Sequence, residues 1–494
     1  MYIRVCSSAG HVLPLQSDRH NRLWPMLLST VLCTLIAISP ASADEPEQEP
    51  ETVLDLIDRS EQNLTELQQE LGNFDLGTLS ALADLTELYL DTGNLARAES
   101  TLSNRLEILR MNLGLHSAEQ IPVLEAQMRL RAARSDLEAV ADSIAHLAWL
   151  YQRNEDMDGG TRLQGLEELQ SWTLALLGLD SRDREATHIL QYRELAERLE
   201  DTVEDVFSED DPQYLAYRYR AGKADALLAL SIVHNPLTGQ ELISRMEGLH
   251  GSARPPGGTI RSVADLEAAY GPRVNTVWER SFRNHMLRHF QKLEDLRDLA
   301  TEREDQESAA MLELYLGDSV LLRQQMELRP GTAAGPSRGR ASTGSASRYY
   351  ARAWEQLLAI GHDEAELEDR LACPALLPVN ELYTRLDEHP SCSLDGDTIT
   401  LPTARLLQSG IPELHSRTGQ LWATEDEERA TALLQFRVLR NGQVSAPQIL
   451  SANPDTTGNR ARLLREIRAL QFRPALEDGS PVVAESVTMS LTQY

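Results

Sequence analysis

The chain has 494 residues, with 47 Lys and Arg against 76 Asp and Glu, for a formal net charge of −29 at pH 7. That length suffices for several domains. The acidic balance excludes non-specific nucleic-acid binding, which needs clustered cations against phosphate, so no nucleic-acid partner is expected.

In chain order, Arg19, His20 and Arg22 precede an apolar run from Met26 to Ile38, and Ala41-Ser42-Ala43 follows before Asp44. Charged, apolar, small-x-small is the order of a secretory signal peptide over residues 1–43. The run is shorter than the roughly 20 apolar residues that span a bilayer. Cleavage after Ala43 leaves no stable transmembrane segment; an uncleaved anchor is the alternative. Residues 44–52, beginning "DEPEQEPE", read as an acidic linker.

Helical patterning rich in Leu, Ala, Glu and Arg then runs for hundreds of residues, with apolar positions recurring at three and four. Leu82, Leu85 and Tyr89 share one helical face, Gly93 turns the chain, and Ala98 is small enough for a second helix to approach closely before Leu102. Ile144, Leu147, Ala148 and Tyr151 read as another first helix, and "NLGLHS" at Asn112 and "LLGLDS" at Leu176 as similar inter-helix corners. A late repeat opens at Leu316-Gly317 and resumes at Ala346, Tyr350 and Ala353 after "RPGTAAGPSRGRASTGSAS". These spacings resemble tetratricopeptide (TPR) repeats. The predicted organisation is TPR-like repeats over 53–235, then further helices over 236–372. The latter contain an interrupted repeat with a flexible loop at 329–347.

Residues 373–430 carry Pro374, Pro378, Pro390, Pro402 and Pro412 and read as a connector. Cys373 and Cys392 are the two cysteines that remain once the leader is removed, and in an exported chain such a pair is a candidate disulfide.

The last segment, 431–494, changes period. Ala432, Leu434, Phe436 and Val438 alternate with polar residues, a half-buried strand. Asn441-Gly442 predicts a tight type I′ hairpin turn into a second strand, Val444 to Leu450. Leu463, Leu464, Ile467 and Leu470 form one face of a helix, and Val482 to Leu491 a last strand. The order is β-β-α-β, so the fold class is mostly α, a helical-repeat solenoid followed by a small α+β domain.

With Phe472-x-Pro474-Ala475, Gly479 and Val482, this run resembles the C-terminal domain of TonB proteins. The resemblance implies a periplasmic chain of a Gram-negative envelope. It also implies protein partners at the outer membrane or in the periplasm, bound by strand addition. The expected edge is the last strand, with Val483, Glu485, Val487 and Met489. Arg462, Arg465 and Arg468 on the helix form a second, basic candidate face, and this segment carries seven Arg against five acidic residues. The chain departs from the family by lacking a His in Met26–Ile38 and by having helices where a Pro-rich spacer stands.

No P-loop, G-x-G-x-x-G, H-E-x-x-H, G-x-S-x-G or C-x-x-C motif occurs. His285-x-x-x-His289 puts two imidazoles on one helical face but brings no third ligand; a solvated helix face is the expected role. The acidic runs read as surface. The sequence therefore predicts no catalytic residue, no metal and no cofactor. It predicts a periplasmic, non-enzymatic interaction scaffold supporting outer-membrane transport. The alternative is a TPR adaptor for envelope assembly whose last domain only caps or dimerises.

Overall fold

A computed structural model describes residues 52–154, 156–180, 184–234, 241, 273–324, 339–379, 381–390, 393–395, 398–406, 412–413 and 431–493. The leader and most of the Gly/Pro-punctuated stretch after 236 lie outside them. Two compact units divide at Asn112/Leu113.

The first unit holds helix α1 (Val53–Leu71), a 3₁₀ turn (Leu76–Thr78), α2 (Leu79–Asp91) and nearly all of α3 (Leu95–Leu113). A capping box starts α1. The Thr52 side chain accepts from the Asp55 amide, and the Asp55 carboxylate accepts from Thr52 N at 3.0 Å. Helix α2 buries Leu82, Leu85 and Tyr89, and α3 buries Ala98 and Leu102, as the repeat spacing predicts. Between them Gly93 takes φ 70°, where a side chain would be strained, and Asn94 N closes the corner on Tyr89 O at 2.8 Å. Thr86 and Thr101 satisfy each other across the buried interface at 2.9 Å.

The second unit opens with α4 (Ile121–Ala133) and α5 (Leu137–Arg153). The interval from Leu79 to Leu95 recurs from Ile121 to Leu137, and so does the burial pattern. Leu82 corresponds to Leu124, Ala98 to Val140, Leu102 to Ile144, and Leu109 to Tyr151, all buried. Ile144, Leu147, Ala148 and Tyr151 therefore sit on the second helix of a hairpin, not the first. Apolar spacing alone does not distinguish the two helices, because both bury a three-and-four stripe. Helices α6 (Gly159–Leu179), α7 (Glu185–Val206), α8 (Pro212–His234), α9 (Arg273–Glu302), α10 (Gln306–Gln324), α11 (Gly339–Ile360) and α12 (Glu364–Leu371) continue the array. "LLGLDS" falls at the α6–α7 corner, as predicted.

Close packing in the array rests on glycines beneath tyrosines. A Cβ on Gly165 would lie 2.1 Å from the Tyr151 ring, and one on Gly317 would lie 2.4 Å from that of Tyr350. Of the loop expected over 329–347, residues 329–338 lie outside the described residues, while Gly339 to Ser347 belong to α11. Burial of Ala346, Tyr350, Ala353 and Leu357 on one face holds that helix and overrides the weak propensity of its Gly- and Ser-rich start.

The connector is not a linker. It supplies strands β1 (Ala375–Leu376), β2 (Ser393–Asp395), β3 (Thr398–Leu406) and β4 (Pro412–Glu413). The final segment adds β5 (Thr431–Val438), β6 (Val444–Ala452), helix α13 (Thr457–Ala469), β7 (Phe472–Arg473), β8 (Ala475–Glu477), β9 (Ser480–Val482) and β10 (Ala484–Gln493). The predicted β-β-α-β order is present, with a short hairpin, β8–β9, inserted before the last strand.

The main sheet runs β2-β3-β10-β5-β6, with β4 also paired to β3. The β5–β6 connection is not a two-residue type I′ turn. Gly442 N donates to Leu439 O at 2.8 Å and Leu439 N to Gln443 O at 2.9 Å, and Gly442 has a positive φ while Asn441 does not. This is a longer turn closed by a left-handed glycine. A side chain on Gly442 would meet Phe472 O at 1.9 Å.

Candidate protein-interaction surfaces

The predicted edge is an interior strand. β10 pairs antiparallel with β5, Val487 opposite Phe436 and Met489 opposite Leu434. On its other side it pairs parallel with β3, Val487 opposite Ile399 and Met489 opposite Leu401. Val487 and Met489 are buried in the sheet core, Glu485 is exposed and bonded by Arg437 at 2.8 Å, and Val483 lies between β9 and β10. The expectation of a free edge fails because strand neighbours are set by pairing across long sequence separations. The signal for the covering strand is local. Thr398, Ile399, Thr400 and Leu401 alternate, inside a segment read by its prolines as a connector.

The basic face also changes role. Arg462 is half-buried and donates to Asn459 Oδ1 at 2.9 Å, while Arg465 and Arg468 are exposed. A different arginine joins the sheet domain to the array. Along β7 and β8, neighbouring side chains point to opposite sides, as the pleat requires. Phe472 and Ala475 belong to the sheet core, with Leu376 from β1 beside them. Leu476 and Leu377 belong to the array core, among Tyr315, Tyr350, Trp354 and Leu357. These short strands are a wall with a hydrophobic core on each face.

Arg473 projects from that wall into the array with 1% of its surface exposed. Its Nε lies 2.9 Å from Asp318 Oδ1 and its Nη2 2.5 Å from Asp318 Oδ2. Nη1 donates to His389 Nε2 at 3.1 Å, and the guanidinium stands 5.3 Å from the Tyr315 ring centroid. Tyr350 donates its hydroxyl to Asp318 Oδ1 at 2.9 Å. Burial opposes the charge on Arg473, but the Asp318 carboxylate, by charge and hydrogen bonding, outweighs it and raises the arginine's pKa. Burial, with Arg473 alongside, lowers His389 to about 3, so the imidazole is neutral and free to accept. At the turn after β8, Gly479 (φ 68°) would place a Cβ 2.8 Å from Trp354 Cβ, so only glycine allows this approach to α11.

The histidine pair does not lie on a solvated face, and among the described residues no group of three or more His, Cys, Asp and Glu side chains is placed to hold a metal ion. His285 and His289 are buried. His285 Nδ1 meets Asp225 Oδ1 at 3.0 Å and His289 Nδ1 meets Gly222 O at 2.9 Å, and burial lowers His289 to about 4. Cys373 is disulfide-bonded; Cys392 lies outside the described residues. Among the described residues, no helix is long and apolar enough to cross a membrane.

On the array surface, Arg348, Tyr349, Arg352 and Glu355 of α11 line a hollow of about 490 Å³. Arg352 stands 4.6 Å from the Tyr349 ring centroid and reaches Glu313 at 3.0 Å. Arginine beside a tyrosine face is a composition enriched at protein interfaces.

No protein-family profile and no curated protein matches the chain. Among solved structures it is similar to a Podosopora anserina protein of the kinesin light chain type, built of nearly identical TPR-like repeats. Identity is 14% over 40% of this chain and 86% of that one, with a TM-score of 0.28. A variant of the same protein gives the same values. The TPR-like assignment rests on the recurring helical hairpins described above, an architecture whose extended surfaces bind proteins.

Proposed function

We propose that the chain is an exported, non-enzymatic protein-interaction scaffold of the Gram-negative periplasm. In this reading the helical array holds the client and the sheet domain caps the array. One observation carries it: the β7–β8 wall, with Leu476 and Arg473 on the array side, turns the last domain into a lid over the terminal helices. Solenoids need such caps, because a terminal repeat otherwise leaves an apolar face in water. The leader pattern and the disulfide at Cys373 support an oxidising compartment. A role in outer-membrane transport by strand addition requires an open β10 edge, and β3 occupies that position. The capping reading is therefore preferred.

The test is site-specific photo-cross-linking of the full chain in intact cells. A probe at exposed array positions such as Arg129 or Glu355 should capture protein partners, and a probe at Arg465 on the sheet domain should not. Adducts confined to Arg465 would overturn the assignment of the client to the array. Recovery of the chain in the cytosol would overturn its location.

A further inference from the structure

Several corners of the helical array turn through a residue with left-handed backbone. Gly93 (φ 70°), Ser135 (φ 59°) and Gly361 (φ 108°) serve at three of them, and Glu304 (φ 60°) at the turn from α9 to α10. Glycine takes that conformation freely, whereas a glutamate takes it under strain. The turn does not need the carboxylate, since it closes through main chain: Glu304 N donates to Thr301 O at 3.1 Å and Asp305 N to Ala300 O at 2.9 Å. Glu304 instead lines a hollow of about 550 Å³ with Thr301, Gln306, Ala309, Gln356, Ala359 and Ile360. Its neighbours in the chain are occupied elsewhere. Asp305 caps α10 by accepting from Ser308 N at 3.1 Å, and Arg303 stands 5.6 Å from the Tyr214 ring centroid. The side chains of Glu304, Gln306 and Gln356 form no hydrogen bond or ion pair among the described residues. The Thr301 hydroxyl donates to Arg297 O at 2.8 Å, so its oxygen is left to accept. Every polar side chain of the hollow can therefore accept, one of them with a full charge, and no Lys, Arg or His lines it among the described residues.

We propose that this hollow binds a short segment of a client protein anchored by an arginine; that the segment belongs to a client rests on the array reading above. A guanidinium is always charged and presents five N–H donors in a planar fork, which suits a carboxylate beside two amide oxygens and a hydroxyl oxygen. Its aliphatic stem packs on Ala309, Ala359 and Ile360 while the head stays with the acceptors. A lysine supplies the charge but reaches fewer of them. The volume falls within the roughly 300–1,000 Å³ of ligand pockets and exceeds one side chain, so the residues beside the arginine enter too. The net charge of −29 draws cationic segments toward the chain and repels anionic ones. Glu304 fixes where the arginine stops.

The probe is the peptide Gly-Leu-Arg-Leu-Gly, acetylated and amidated so that arginine carries its only charge, titrated into the full chain and followed by saturation-transfer NMR. Wild type should saturate with a Kd of roughly 1 mM or tighter, with the strongest transfer to the arginine methylene protons. Citrulline in place of arginine keeps the shape without the charge and should bind about tenfold more weakly, which is ~1.4 kcal/mol. Glu304→Gln should lose the same factor. Glu302→Gln removes an equal charge from the same corner at an exposed position outside the hollow and should bind as wild type. Glu304→Gly should fold at least as firmly, because glycine suits the turn, and still lose binding, which separates the carboxylate from the stability of the corner. Ala359→Phe fills the hollow from an exposed position and should block the peptide with no change of charge. Equal binding by Glu304→Gln and Glu302→Gln would overturn the proposal, since the peptide would then be attracted to the acidic surface as a whole. Undiminished binding by Ala359→Phe, or no saturation of wild type by about 5 mM, would overturn it as well. Failure of array cross-linking with peptide binding intact would count against the array reading alone, and the reverse against this site alone.

Discussion

Asp318→Asn tests whether the buried ion pair fastens the sheet domain to the array. The substitution keeps the shape of the side chain and leaves one carbonyl acceptor, but removes the charge that compensates Arg473. Arg473 is 1% exposed and cannot recruit water without opening the wall. Breaking a buried pair by removing one partner costs about 3–5 kcal/mol, and the retained amide acceptor recovers about 1. The expected net loss is ~3 kcal/mol. It should be local, since the chain has more than one unit and a single global unfolding energy is poorly defined. Native-state hydrogen exchange isolates it. The Tyr383 amide donates to Tyr315 Oη at 2.8 Å and the Leu386 amide to a Glu307 carboxylate oxygen at 2.9 Å, both holding against the array the segment that carries His389, a direct partner of Arg473. A loss of ~3 kcal/mol should speed their exchange by roughly a hundredfold, while amides between β5 and β6 change little. Replacing both charges, Asp318→Leu with Arg473→Met, should restore most of the protection, because a buried pair is often exchangeable for apolar contact. Acceleration below about fivefold, or equal acceleration inside the sheet, would refute the argument that this pair holds the domains together.

Four further outcomes are expected. Burial holds His389 at about 3 and His289 at about 4, and unfolding releases each toward 6.5, so the unfolded chain gains protons first as pH falls. The stability they contribute is complete above pH 6.5 and is lost progressively down to about pH 4 for His289 and about pH 3 for His389, at up to ~1.4 kcal/mol per pH unit for each histidine. In urea titrations across that window His389→Gln should show the shallower dependence, and identical slopes would refute the assignment. Gly317→Ala should cost about 1–3 kcal/mol by overpacking against Tyr350, read as a lower unfolding midpoint without loss of helical circular dichroism. Amino-terminal sequencing of exported protein should begin at Asp44, and Cys373 should resist thiol labelling until a reductant is added.

What was legible in the sequence was whatever repeats over a few residues. Leu82, Leu85, Tyr89, Ala98 and Leu102 mark a helical hairpin because burial recurs every three or four positions along one stripe. Leu434, Phe436 and Val438 mark a strand because it recurs every two. Helix α13 was found through Leu463, Ile467 and Leu470. What the reading missed joins distant parts of the chain. Arg473 and Asp318 are 155 positions apart, and nothing near either residue names the other. An arginine between Phe472 and Pro474 was nonetheless a cue, since a charge inside an apolar run must find a buried partner. The edge strand was misplaced for the same reason. Alternation shows that β10 is a strand and is silent about which strands flank it.

The order of the main sheet also constrains how the protein is made. The strand that comes latest among those described stands between strands translated earlier, and Thr400 must wait 88 residues for Thr488. Until β10 emerges, β3 and the β5–β6 hairpin have no common neighbour, and the wall that separates the two cores has nothing to lean on. The helical hairpins, built from near-neighbour contacts, can form as they appear, whereas the sheet is a late and slow closure. A chain crossing a membrane in extended form would reach its final shape only after β10 has passed through. A chain shortened by about ten residues from that strand would forfeit the keystone of the sheet, leaving two open strand edges exposed to aggregation and proteolysis.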